Sequence, residues 1–145
     1  MNCLQANEVV YAYQNKYQLV QALSGVSADF AQGQLYAIIG ASGSGKTTFL
    51  SLLAGLDVPT SGSITWNGTS TAELDRDAYR LEHVSVIYQD FNLFSHLTVL
   101  ENAAYPLYAR KMSKKEGDAL AKEKLLALGL KEEQLGRFPN MLSGG

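Results

Sequence analysis

Val9, Tyr11 and Tyr13 alternate with Val10 and Ala12 through the stretch "EVVYAY", the period of two expected of a strand with two different faces. A second extended run, "LVQALSGVSADF", leads into "AQGQ", a turn centred on Gly33. The apolar run "LYAIIG" follows without a polar break and closes on glycine, which predicts a strand buried on both faces. From Lys46 the period lengthens. Phe49, Leu52, Leu53 and Leu56 fall at i, i+3, i+4 and i+7, one stripe of a helix that Gly55 and Pro59 are expected to end. "SGSITWNG" predicts a short strand running into an Asn67-Gly68 tight turn, and "HVSVIYQD" a third apolar strand. Beyond it the pattern is helical. Thr98 with Glu101, and Ser113 with Glu116, have capping-box spacing and predict two helix starts. Pro106 is expected to kink or end the first helix, and Ala121, Leu125 and Leu128 form a buried stripe in the second before Gly129.

Composition narrows the class. With 145 residues, 46% of them hydrophobic and 18% charged, the chain can bury one core, and no internal repeat or linker divides it. A formal charge of -2 gives no broad positive field, so nucleic acid is not an expected partner. Cys3 is the only cysteine, which excludes an intrachain disulfide and suits a reducing compartment. The N-terminus has no leader pattern, and no run approaches the roughly 18 apolar residues that span a bilayer. The expectation is a cytoplasmic protein without direct membrane insertion, reaching a membrane only through a partner.

The candidate chemistry lies between the apolar run and the first helix. "GASGSGKT", residues 40–47, satisfies G-x-x-x-x-G-K-[ST] at every fixed position. Glycines let successive backbone N–H groups turn inward, and the helix N-terminus adds partial positive charge facing the same space. In this reading Gly40, Ala41, Ser42, Gly43, Ser44, Gly45 and Thr48 cradle phosphates, Lys46 reaches the β- and γ-phosphates, and the Thr47 hydroxyl ligates Mg²⁺. Another class of phosphate-loop enzyme is the alternative. A GTPase would carry an N-K-x-D motif after the loop, whereas the only Asn-Lys pair, Asn15-Lys16, precedes it; a kinase lid is not evident either.

The chain closes on "LSGG", Leu142 to Gly145, which follows "GASGSGKTT" and "VIYQDFNLFSHLTVLEN" in that order. With these motifs it resembles the nucleotide-binding domain of ABC transporters from about Leu4 to Gly145, LSGG being the beginning of that family's LSGGQ signature. The segment "DFNLFSHLTVLENAAYPLY" is similar to the subgroup serving lipoprotein release, macrolide efflux or antimicrobial-peptide efflux. The resemblance implies an α/β fold: a phosphate-loop core with an N-terminal antiparallel β subdomain within residues 1–90, and a helical subdomain over residues 91–145, the C-terminal part of the domain lying outside the sequence. It implies that Tyr13 stacks on adenine, that Gln89 touches Mg²⁺ and the attacking water, and that Ser143, Gly144 and Gly145 act in trans on ATP held by a second ATP-binding domain, in a homodimer or a pair. It implies a transmembrane permease as partner, received near Phe91, Leu93, Phe94 and Leu97, a place at the inner face of the cell membrane, and transport in the export direction. The family's Walker B carboxylates and switch histidine follow the signature. No catalytic base is therefore identifiable: His83 and His96 are assigned to structure, Asp57 and Asp90 lie in the wrong places, and the 145 residues alone are expected to be essentially inactive. A nucleotide-binding module without catalysis is the remaining alternative.

Overall fold

Strands β1 (Asn2–Gln14) and β2 (Leu19–Ala31) pair antiparallel at the start of the chain. A computed structural model describes residues 2–14, 16 and 18–142. The chain divides into two units, Met1–Val86 and Ile87–Gly145.

In the first unit β3 (Ser61–Trp66) pairs with the other side of β1, and β4 (Thr69–Ser70) follows β3. The sheet order is β2-β1-β3-β4. Asn67 and Gly68 turn the last hairpin with φ of 48° and 85°, the left-handed pair that a two-residue connection needs. Helix α1 (Lys46–Leu53) lays Phe49, Leu52 and Leu53 on Ala6, Val9, Leu23 and Ile64 of the sheet, and this is the core. Only part of the expected stripe is buried: Leu56 lies beyond the helix end and is 43% exposed. Helix α2 (Arg76–His83), which the sequence pattern did not suggest, starts at Asp75, whose side chain accepts from the N–H groups of Asp77 and Ala78. It fastens the far end of α1. Tyr79 donates its hydroxyl to the Leu53 carbonyl at 3.0 Å and Arg80 donates to the Gly55 carbonyl at 2.5 Å, supplying donors to carbonyls that a helix C-terminus leaves open.

Two expected strands are not strands. Residues 34–40 and 84–88 have no regular secondary structure. Leu35 is fully exposed, Ile39 is 89% exposed and Ile87 95%. A strand of the doubly covered kind is defined by neighbours on both sides, and neither run finds a ladder partner among the described residues. Ile38 alone of the first run packs against the core, while Tyr36 sets its ring edge-on to Phe30 and accepts from the Ala31 N–H at 2.8 Å.

In the second unit α3 (Val99–Ala109) packs on α4 (Lys114–Ala127), with α5 (Glu132–Leu135) and a short 3-10 turn after them. The capping box at Thr98 is complete, and Ser113 accepts from the Glu116 N–H. Pro106 does not end α3, which runs on to Ala109. The buried positions of α3 and α4 are small, Ala104, Gly117 and Ala121, and α5 adds Leu135. A Cβ on Gly117 would come within 2.8 Å of the Tyr108 ring, so the helices approach closely through small residues rather than through the expected leucines; Leu128 is 79% exposed. His96 rests beside Phe94, and in the first unit His83 lies against Trp66.

Candidate functional site

Residues 40–48 bend sharply into α1 on two left-handed glycines, Gly43 and Gly45, with φ of 79° and 86°. Gly45 is the N-cap, so no side-chain oxygen caps the helix, and the first-turn N–H groups, which have no acceptor within the helix, face outward. Glycine at this position is required twice over. A Cβ there would adopt a strained conformation and would also strike the Ala22 carbonyl oxygen and approach Leu23 Cδ2 to 2.8 Å.

Lys46, the first residue of α1, folds back over the loop. Its Nζ donates to the carbonyls of Gly40 at 2.8 Å and Ala41 at 2.7 Å and lies 3.5 Å from Ser44 Oγ. These acceptors are neutral. The ammonium charge therefore adds to the partial charge of the helix terminus instead of being cancelled by a carboxylate.

The loop forms one wall of a cavity of about 400 Å³, with Tyr13, Val20, Gln21 and Ala22 on the strand side and residues 42–48 on the other. That volume lies within the roughly 300–1,000 Å³ typical of small-molecule sites. Tyr13 is the last residue but one of β1, is 52% exposed, and shares a hydrogen bond of 2.9 Å with Thr48 Oγ1 in the first turn of α1. Its ring meets Tyr11 edge to face, centroids 5.0 Å apart at 84°. Tyr11 in turn donates its hydroxyl to Asp57 Oδ2 at 2.5 Å. The hydrogen bond to that carboxylate, helped by partial burial, pushes the Tyr11 hydroxyl up to about 12, and the same bond holds Asp57 below the usual carboxylate range. No aspartate or glutamate lines the cavity among the described residues.

Of the residues expected at the site, Tyr13 and Ser42 through Thr48 thus share one cavity, and Gly40 and Ala41 hold the lysine above it. Gln89 lies exposed in a turn of the second unit, just before Phe91 and Asn92, which take left-handed φ of 57° and 48°. Ser143, Gly144 and Gly145 lie outside the described residues. The set expected to receive a permease is mostly surface: Phe91, Leu93 and Phe94 are exposed and Leu97 is half-buried. Its loop is shaped by Asn102, whose amide donates to the carbonyls of Phe94, Leu97 and Thr98, each at 3.0 Å, and accepts from the Phe94 N–H. The Tyr11–Asp57 pair and the role of Asn102 were missed in the sequence. For Tyr11 one signal was available, since it stands two residues before Tyr13 on the same strand.

The family model described as "ABC transporter" matches residues 23–145. The ATP-binding protein LolD of the lipoprotein-releasing system of Bordetella avium is 39% identical over 98% of this chain and 63% of its own length. The methionine import ATP-binding protein MetN of Latilactobacillus sakei is 42% identical over 98% of this chain and 42% of its own length. Among solved structures, the dimeric post-hydrolysis ATP-binding cassette MJ0796, bound to ADP and Pi, superposes with a TM-score of 0.86 at 33% identity, covering 97% of this chain and 63% of that one. The chain spans about 63% of the length of relatives such as LolD. A glycine-bent loop that leads an uncapped helix into a cavity under a lysine, a family match that reaches to residue 145, and a shared fold at this identity lead to one conclusion: the chain belongs to the ABC transporter family, as part of an ATP-binding cassette.

Proposed function

We propose that these residues form the ATP-binding part of a transporter subunit that couples ATP binding and hydrolysis to movement of a substrate through a transmembrane permease. The observation that carries the reading is Lys46: a cation bound only to neutral acceptors, at an uncapped helix start, on the wall of a cavity that also contains an exposed aromatic ring. Polyphosphate needs the first two features, and a purine base needs the third. The chemistry of the donor set fits a Mg²⁺–ATP pair. The Thr47 hydroxyl, in the first turn of α1 on the cavity wall, is an oxygen ligand of the kind Mg²⁺ takes beside phosphate oxygens. Thr47 is the residue of the first unit that would hold the ion, and Gln89 is the second candidate that the family resemblance gives. When bound, Mg²⁺ neutralises charge on the phosphate oxygens.

In this reading the N–H groups of residues 41–48 bind and orient the phosphates, Lys46 leaves its carbonyl partners for the β- and γ-phosphates, and Tyr13 supports the base. Gln89 positions water, and Ser143, Gly144 and Gly145 complete the partner's site in a dimer of cassettes. Residues 1–90 are the β subdomain with the phosphate-loop core, and residues 91–145 the helical subdomain. Phe91, Leu93, Phe94 and Leu97 receive the permease, a role that the exposure of the first three supports. No helix among the described residues is long and apolar enough to cross a membrane; the place proposed for the subunit, at the inner face of the cell membrane, follows from the permease as partner. Likeness to a lipoprotein-releasing system supports export; likeness to a methionine importer at similar identity makes direction a property to read in the permease. We further propose that residues 1–145 by themselves bind nucleotide without turning it over.

The test is Lys46→Ala. Charge-assisted hydrogen bonds contribute about 1.5–3 kcal/mol each, so ATP affinity, measured by titration calorimetry at fixed Mg²⁺, is expected to fall at least about tenfold. Unchanged affinity would overturn the assignment.

A further inference from the structure

We infer that Tyr11 is a positioning residue for the base-binding ring: set perpendicular to Tyr13 and tied by its own hydroxyl to Asp57, it fixes the plane of the Tyr13 ring. The inference rests on the reading of Tyr13 as the support for a purine base.

An exposed aromatic side chain at a strand end can swing about two torsions, and a ring that has to be ordered on binding loses affinity through the lost freedom. Tyr13 is held at two places. Its hydroxyl bonds Thr48 Oγ1 at 2.9 Å, and its ring stands at 84° to that of Tyr11, the T-shaped arrangement that aromatic pairs prefer. Half of the side chain stays open to the cavity side.

Tyr11 can serve as the fixed member because it is anchored itself. Its ring packs against the core of the first unit, and its hydroxyl is 2.5 Å from Asp57 Oδ2. Asp57 is anchored too, accepting from the Val58 N–H at 2.8 Å through Oδ1. The segment that carries it is strapped to β1, since the Thr60 N–H donates to the Val10 carbonyl at 2.9 Å and the Ala12 N–H donates to Thr60 Oγ1 at 3.1 Å. The chain after α1 therefore holds the same strand that carries both tyrosines. Thr48 does so from the first turn of α1. Phosphate loop and base support are thereby referenced to one frame, which is what preorganisation of a two-part ligand requires.

The experiment compares ATP with inorganic tripolyphosphate, which has the charges but no base, by calorimetry at fixed Mg²⁺ on the full chain. Tyr11→Ala is expected to weaken ATP about three- to tenfold while tripolyphosphate changes less than about twofold. Tyr11→Phe, which keeps the ring and loses the anchor, and Asp57→Ala are expected to show smaller losses with the same split; they carry the test if Tyr11→Ala does not fold. Equal losses for both ligands would reduce Tyr11 to a structural residue and overturn the proposal, as would wild-type ATP affinity in the Tyr11 and Asp57 variants when Tyr13→Ala binds ATP weakly. Should Tyr13→Ala itself bind ATP like the wild type, the reading of Tyr13 fails, and the positioning role falls with it.

Discussion

Tyr11 shows how one hydroxyl can make stability depend on pH at both ends of the scale. The hydrogen bond to Asp57 raises the phenol from an ordinary 10.0 to about 12 and holds the carboxyl below its ordinary 3.8. A phenol raised on folding stabilises fully below its unfolded value and loses that contribution as pH climbs through about 12; a carboxyl lowered on folding stabilises above its unfolded value and loses it as pH falls through the folded one. The difference in urea midpoint between wild type and Tyr11→Phe is therefore expected to be constant from about pH 5 to 9 and to shrink above about pH 10 and below about pH 4. The difference is the quantity to follow, because Tyr79, raised by burial, and Tyr108, raised by its bond to Asp118, lose their own contributions in the same alkaline range. A difference that stays constant at both ends would mean that Tyr11 and Asp57 are not bonded in solution.

Helix starts are the elements whose origin is most local. Thr98 accepts from the Glu101 N–H at 3.2 Å, and Glu101 returns the favour to the Thr98 N–H at 2.9 Å. Thr98→Ala is expected to destabilise α3 by about 1 kcal/mol, whereas Thr98→Ser, which keeps a capping hydroxyl, is expected to be close to neutral. Amide hydrogen exchange over the first turn of α3 measures this, and equal protection in all three proteins would deny the cap. Both this start and the one at Ser113 were legible in the sequence because cap and partner stand three residues apart. So was the phosphate loop, whose spacing fixes its shape. What was not legible depends on residues distant in the chain. The Asp75 start of α2 announces itself only weakly, because the buried face of that helix is one residue, Tyr79, whose partners are the Leu53 carbonyl and the Trp66 ring. Residues 35–39 and 84–88 have the composition of strands, but composition supplies no neighbour to pair with. Of the two outcomes expected at Pro106, a kink or an end, the end is not seen: the loss of one hydrogen bond does not stop a helix already capped at Thr98 and packed through Ala104.

At the scale of the molecule, the arrangement of charge bears on turnover. The cavity presents donors, a cation and hydroxyls, and no carboxylate lines it among the described residues. Phosphoryl transfer depends on positioning both the phosphate and the water that attacks it, and losing a water-positioning group commonly costs about 10²- to 10⁴-fold. Residues 1–145, purified alone, are expected to bind ATP yet hydrolyse it no faster than background. Phosphate release at a steady rate near about 1 s⁻¹, abolished by Lys46→Ala, would contradict this. The class of molecule was readable from motif order alone, whereas the coupling of Thr48, Tyr13, Tyr11 and Asp57 belongs to the folded chain. The two apolar runs without a ladder carry a further consequence for handling the protein. Leu35, Ile39 and Ile87 stand almost wholly in water on backbone that joins no sheet among the described residues, and an unpaired apolar run is a template on which an identical run from another copy can lay itself down. Loss of material on concentrating this chain will therefore follow a power of its concentration higher than one, and a charged substitution within either run, rather than a more stable core, is the change that keeps it in solution.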